Sequence, residues 1–146
     1  MKFTKFHKPT GELLQILKKS NSVKQYMAEN QDEFMHIDIA EYLEKIIQEK
    51  HLKRADIVKD SGLDRSYVYH ILNGERQNPS RDKLLAICAA MKLNIEETQY
   101  FLRAVGVSVL YPRNQRDSII LYGLEQGSSV GEMNEALYDA GFELLE

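Results

Sequence analysis

The sequence predicts an all-α protein. Apolar residues recur at helical spacing in each segment of the 146-residue chain, with none of the sustained alternation that marks a half-buried strand. Pro and Gly cluster at the boundaries between segments. Three Ser/Asn-x-x-Glu/Gln spacings, at Ser22/Gln25, Asn94/Glu97 and Ser129/Glu132, match the capping box, in which side chains satisfy the free amides of a first helical turn.

The elements follow in order. Thr10–Lys19 carries Leu13, Leu14, Ile16 and Leu17 and reads as a short amphipathic helix, interrupted by Ser20-Asn21-Ser22. A second helix is expected over Val23–Phe34; with few apolar residues it needs a neighbour, because short isolated helices are marginal in water. Asp38–Lys50 is stronger, with Ile39, Tyr42, Leu43, Ile46 and Ile47 on one face and a Glu41–Lys45 pair outside. Arg54–Ser61 turns Ala55, Ile57 and Val58 inward and stops at Gly62, where a positive φ comes at little cost. Leu63 plugs the turn, and Asp64 caps Arg65–Leu72, whose Val68 and Ile71 face inward. Asn73-Gly74 ends that helix. Pro79-Ser80 opens another, reaching Met91, and Ile95–Val105 follows with Gly106 as its stop. A helix from Pro112 to about Glu125 and one over Val130–Ala140, stopped by Gly141, complete the chain.

Composition narrows the class. No run approaches the ~18 apolar residues of a membrane span, so a soluble, cytoplasmic protein with no membrane partner is expected. Cys88 is the sole cysteine, which rules out an intramolecular disulfide, and its place on the Leu84/Leu85/Met91 stripe reads as core. His7, His36, His51 and His70 are scattered without ligand spacing, and no glycine loop suits a phosphate. Neither a metal, a cofactor nor an enzyme is expected. The net charge is -3, but its distribution is uneven: residues 53–83 carry +2 and residues 84–146 carry -5. Local charge, not the total, faces a phosphate backbone.

The stretch Lys53–Ser80, KRADIVKDSGLDRSYVYHILNGERQNPS, organises the rest. Two short helices joined by a tight glycine turn form the helix-turn-helix layout, which can present its second helix to a DNA major groove. Residues 38–106 resemble the Cro/repressor-type helix-turn-helix domains of the XRE family. The resemblance is carried by SGLDRSYVYHILNGERQNPSRDKLLAICAAMKLNIEE. It implies a lambda-repressor-like five-helix DNA-binding domain over about 38–51, 54–61, 65–72, 80–91 and 95–105, with residues 1–37 an N-terminal helical arm and 107–146 a C-terminal helical hairpin.

The resemblance also implies roles. Arg65, Ser66 and His70 fall where the family reads bases, with Tyr69 facing the groove wall or a phosphate. Lys53, Arg54, Asn73 and Arg76 fall where it touches the DNA backbone. Tyr67 is counted with the backbone contacts, and it is expected to pack against the exit loop sooner than to read bases. The chain departs from the family at Arg54, where Gln is common, and at Val58, where a small residue is common. The implied function is a sequence-specific transcriptional regulator, a homodimeric repressor on a palindromic double-stranded DNA site. The dimer contact would come from the C-terminal hairpins, the N-terminal arm, or both.

Two further readings concern the flanks. Shifted by 35 residues, Arg81–Tyr111 lies on Arg116–Glu146 without a gap, aligning caps, apolar stripes and stop glycines with six identities. Either the last hairpin repeats the one before it, or two capped hairpins simply look alike. The acidic C-terminal half also suits a protein-interaction module, an antitoxin or a regulatory partner of another protein. For the leucine-bearing first helix three roles stand open: covering its own chain, crossing to a second subunit, or carrying Lys2, Lys5 and Lys8 to DNA.

Overall fold

A computed structural model describes residues 8–34 and 38–146. Lys2, Lys5, His7 and His36 lie outside the described residues. The chain divides into two compact units, Met1–His36 and Ile37–Glu146. Among the described residues all regular structure is helical.

The first unit is a small hairpin of α1 (Thr10–Lys19) and α2 (Val23–Glu29), extended by a 3-10 turn at Gln31–Glu33. The Ser20 hydroxyl donates to the Ile16 carbonyl at 2.7 Å, and Ser22 Oγ accepts from Gln25 N at 3.0 Å to start α2. The expected capping box is left half made, since the Gln25 amide turns forward and donates to Glu29 at 2.9 Å. The second helix is also shorter than its apolar spacing suggested. Asn30 ends it: the side-chain amide donates to Tyr26 O at 2.9 Å, while Oδ1 accepts from Lys8 Nζ at 2.7 Å. Such side chain-to-backbone bonds offer the chain an alternative to the helical ladder. Tyr26 and Phe34 then meet edge to face at 5.9 Å. Neither α1 nor α2 buries a residue fully.

The second unit contains α3 (Ile39–Lys50), α4 (Arg54–Ser61), α5 (Arg65–Leu72), α6 (Arg81–Ala90), α7 (Ile95–Ala104), α8 (Gln115–Gln126) and α9 (Val130–Asp139). Its hub is α6, buried at every position from Leu84 to Ala90. A helix that is apolar all round needs neighbours on every side. Here α4 and α9 pack on α6, while α3 and α4 pack on α5. Cys88, at 0% exposure, is part of that centre, and burial raises its thiol pKa well above the ordinary value. Tyr42 packs edge to face on Phe101 at 5.4 Å; its phenol is pushed up by burial and, secondarily, by Tyr100 and Cys88. A Lys50–Glu97 ion pair at 2.8 Å joins the end of α3 to the start of α7.

Local signals place most ends where the sequence put them. Asp38, Asp64, Ser80, Asn94 and Ser129 all cap through their side chains, the last two as complete capping boxes. Two expectations change. The eighth helix begins at Gln115, not Pro112, because Asn114 Oδ1 accepts from Asp117 N at 2.9 Å and sets the cap three residues later. Ala55 is exposed; α4 is anchored by Ile57, with Val58 half-buried.

Candidate nucleic-acid interface

The geometry of α4, its turn and α5 follows from a few local interactions. Gly62 closes α4 at φ +70°, a left-handed conformation that costs a residue with a Cβ ~1 kcal/mol or more. Ser61, fully buried, donates to Val58 O at 2.9 Å and accepts from Leu63 N at 3.2 Å, so the turn has no orphan polar group at that point. Asp64 Oδ2 then accepts from Tyr67 N at 3.0 Å and fixes the first turn of α5. Val68, Ile71 and Leu72 drive the inner side of α5 into the core. Burying each such side chain is worth ~1.5–3 kcal/mol, so the outer side cannot rotate inward without losing several of these contributions.

That outer side carries Arg65, Ser66 and His70, all exposed, with Tyr69 half-buried beside them. The Arg65 guanidinium lies over the Tyr69 ring at 5.5 Å. His70 Nε2 stands 3.5 Å from a Glu75 carboxylate oxygen, an acidic neighbour the sequence reading did not anticipate.

The residues expected at the DNA backbone form two groups. Arg54 donates to Asn73 Oδ1 at 3.4 Å and is closely paired with Glu44. It therefore ties α3, α4 and the end of α5 together, and part of its charge is spent inside the protein. The Gln48 amide and then Arg54 hold the Glu44 carboxyl below the usual carboxylate range. Lys53 is exposed at the start of α4, with its side chain outside the cap. Arg76 and Tyr67 form the other group. The Arg76 guanidinium lies 4.6 Å from the Tyr67 ring centroid, and Lys83 Nζ lies 4.7 Å from the same ring. Tyr67 thus meets Arg76 of the exit loop and lies beside a second cation, Lys83. Lys83 was missed from the sequence because its meeting with Tyr67 is tertiary: the two residues sit on different helices. Only the cap at Ser80, which sets where α6 begins, hinted at its direction.

Gly74, at φ +81°, ends the element, and a Cβ there would stand 3.5 Å from Ala40 Cβ. That is ordinary van der Waals contact, so the positive φ and not crowding is what favours glycine there.

Two helices joined at a glycine turn, with a capped second helix whose polar side is exposed, define a helix-turn-helix segment. Residues 42–98 match the family model of the Cro/C1-type HTH DNA-binding domain. This segment is accordingly similar to the Cro/C1-type helix-turn-helix DNA-binding domains. No curated protein and no solved structure matches the chain. Among the described residues, no helix is long and apolar enough to cross a membrane.

Proposed function

We propose that the protein is a sequence-specific transcriptional repressor that binds a palindromic DNA site as a homodimer, reading each half-site with α5. One observation carries the reading: α5 is locked by buried Val68, Ile71 and Leu72 while Arg65, Ser66 and His70 are exposed on its other side. Residues 38–106 serve as the reading domain, with 1–37 an arm and 107–146 an appended hairpin. Arg65 suits a bidentate contact to guanine O6 and N7, worth ~1–3 kcal/mol of discrimination. The Tyr69 ring restricts its rotamers before binding. Ser66 can donate or accept and adds less selectivity. Lys53, Arg76 and Lys83 supply charge for phosphates, and Tyr67 keeps the last two in place.

Titration of labelled duplexes at rising salt tests this reading. A DNA binder making several phosphate contacts weakens steeply, as counterions are released. Absence of binding to any duplex at low salt sinks it. A second reading, a protein partner docking on the C-terminal hairpin, is favoured by exposed Tyr122 and Tyr138 (69% and 74%) in the acidic half. It predicts capture of a partner that survives Arg65→Ala.

A further inference from the structure

The hydrogen bonds of one helical hairpin recur, residue for residue, in the next. Arg81 donates from Nε to Ser108 O at 2.9 Å and from Nη2 to Val109 O at 3.0 Å. Thirty-five residues on, Arg116 donates from Nε to Glu143 O at 3.1 Å and from Nη2 to Leu144 O at 3.4 Å. Gln99 Oε1 accepts from Leu110 N at 2.8 Å, and Asn134 Oδ1 accepts from Leu145 N at 2.8 Å. Lys92 ends α6 at φ +59°, and Gly127 ends α8 at φ +68°.

The same arginines also cross between the hairpins. Arg81 forks onto the Asp117 carboxylate at 3.1 and 3.0 Å, and Arg116 forks onto Asp82 at 2.9 and 3.0 Å. Asp117 is itself the counterpart of Asp82 in the repeat. Two hairpins stacked by translation would give only the first of these bridges. Reciprocity requires a pseudo-two-fold axis, and the packing agrees: α6 meets α9, while α7 meets α8. An interface about a two-fold axis is isologous, one patch against its own copy. Each patch here carries both halves of the bridge, an arginine followed directly by an aspartate. The charged pair at the start of α6 is therefore self-complementary: in a symmetric pairing of two copies, Arg81 of each would stand opposite Asp82 of the other.

We propose that the α8–α9 hairpin is an intramolecular mask that occupies, in cis, a dimerisation face of the DNA-binding domain, and that its release lets the α6–α7 faces of two chains pair. The proposal rests on the DNA-regulator reading for its consequence, control of dimeric binding, but not for the mask itself. A short tether, residues 105–114, presents the mask at an effective concentration on the order of millimolar, which outcompetes a second chain at micromolar levels. The cis seat is also better fitted than a symmetric copy would be, since Asp117 accepts an additional bond from Tyr111 N at 3.0 Å.

The test uses the full chain and sedimentation velocity. Arg116→Asp with Asp117→Arg inverts the mask alone, placing like charges against Arg81 and Asp82 while leaving the α6–α7 face intact. Without DNA and at micromolar concentration, the expected result is a monomeric wild type, whose pairing is left to the palindromic site, and an inverted variant whose dimer forms at roughly 10²-fold lower concentration. Adding Asp82→Arg to the inverted variant makes both first-turn positions of α6 positive and returns it to monomer. Circular dichroism monitors folding. If the inverted chain unfolds, Leu145→Ala, which removes a buried side chain from the segment that follows α9, is expected to raise the dimer fraction with concentration. A folded inverted variant, or a folded Leu145→Ala chain, that stays monomeric overturns the mask. So does a wild-type dimer that Asp82→Arg leaves intact; that result keeps the homodimer reading and moves its surface elsewhere. Loss of duplex binding in the wild type overturns the regulator reading and leaves the mask standing on the mass data.

Discussion

Replacing Arg81 with alanine should be the most damaging single change in the crossed bridges. Asp117 is 7% exposed, and Arg81 supplies two of its hydrogen bonds, both to side-chain oxygens. Arg81→Ala removes these two bonds and the links to Ser108 O and Val109 O, leaving a buried carboxylate with the Tyr111 amide as its remaining partner at Oδ2. Stranding one member of a buried ion pair costs ~3–5 kcal/mol, and the lower end applies because the Arg81 side chain is 23% exposed. For a unit of this size ~3 kcal/mol corresponds to a fall of roughly 10 °C in Tm. Arg116→Ala breaks an equivalent fork, but the Asp82 side chain it strands is 28% exposed and can be rehydrated, so about half that loss is expected. Thermal melts of both variants, followed by circular dichroism, measure the order. Equal losses, or a larger loss for Arg116→Ala, would refute the burial argument.

Three other predictions use the same logic. Burial would raise the Asp117 pKa, but bonds from Arg81 and Tyr111 N–H, with the charges of Arg81 and Arg116, bring it below the ordinary value. A carboxyl depressed on folding contributes stability above its unfolded pKa that is lost as pH falls through the folded value. Acid melts should thus lose stability below about pH 4, and Asp117→Asn should flatten that slope; an unchanged slope counts against it. Gly123→Ala should destabilise although alanine is the better helix former by ~1 kcal/mol, because its Cβ would stand 2.8 Å from Met133 Cγ. On a Met133→Ala background the same change should stabilise, and a double-mutant melt checks the reversal of sign. Lys83→Ala should weaken DNA binding uniformly across sequences and reduce the salt slope by ~1, with altered sequence preference as the contrary result.

The helices were legible because their signals are local. Caps at Asp38, Asp64, Asn94 and Ser129 and the stop at Gly62 act within one turn of chain, and each element ends where they say. The misplacements share a physical cause. At Asn30 a side chain competing for the Tyr26 carbonyl ended a helix that apolar spacing alone would continue. At Pro112 a residue suited to a helix start lost to the Asn114 cap. The exposed residues of α5 could be named from spacing, since burial of Val68 and Ile71 decides which side remains outside. Their neighbours could not. Glu44 beside Arg54, Glu75 beside His70, and Lys83 beside Tyr67 are charge placements set by tertiary approach or by a turn, which no periodicity records. The crossed arginines were half visible: the 35-residue shift aligned Arg81-Asp82 with Arg116-Asp117, but only geometry shows which aspartate each arginine meets.

The central claim is that α5 reads DNA sequence through Arg65. Selection of bound duplexes from a random pool, run in parallel on the wild type and Arg65→Ala, tests it most directly. The wild type should enrich a palindrome whose half-site centres lie about one helical turn, ~34 Å, apart. Arg65→Ala should lose preference at one guanine in each half-site, by roughly 1–3 kcal/mol, while keeping its affinity for non-specific DNA. Recovery of the same site with the same preference by both proteins would contradict the claim.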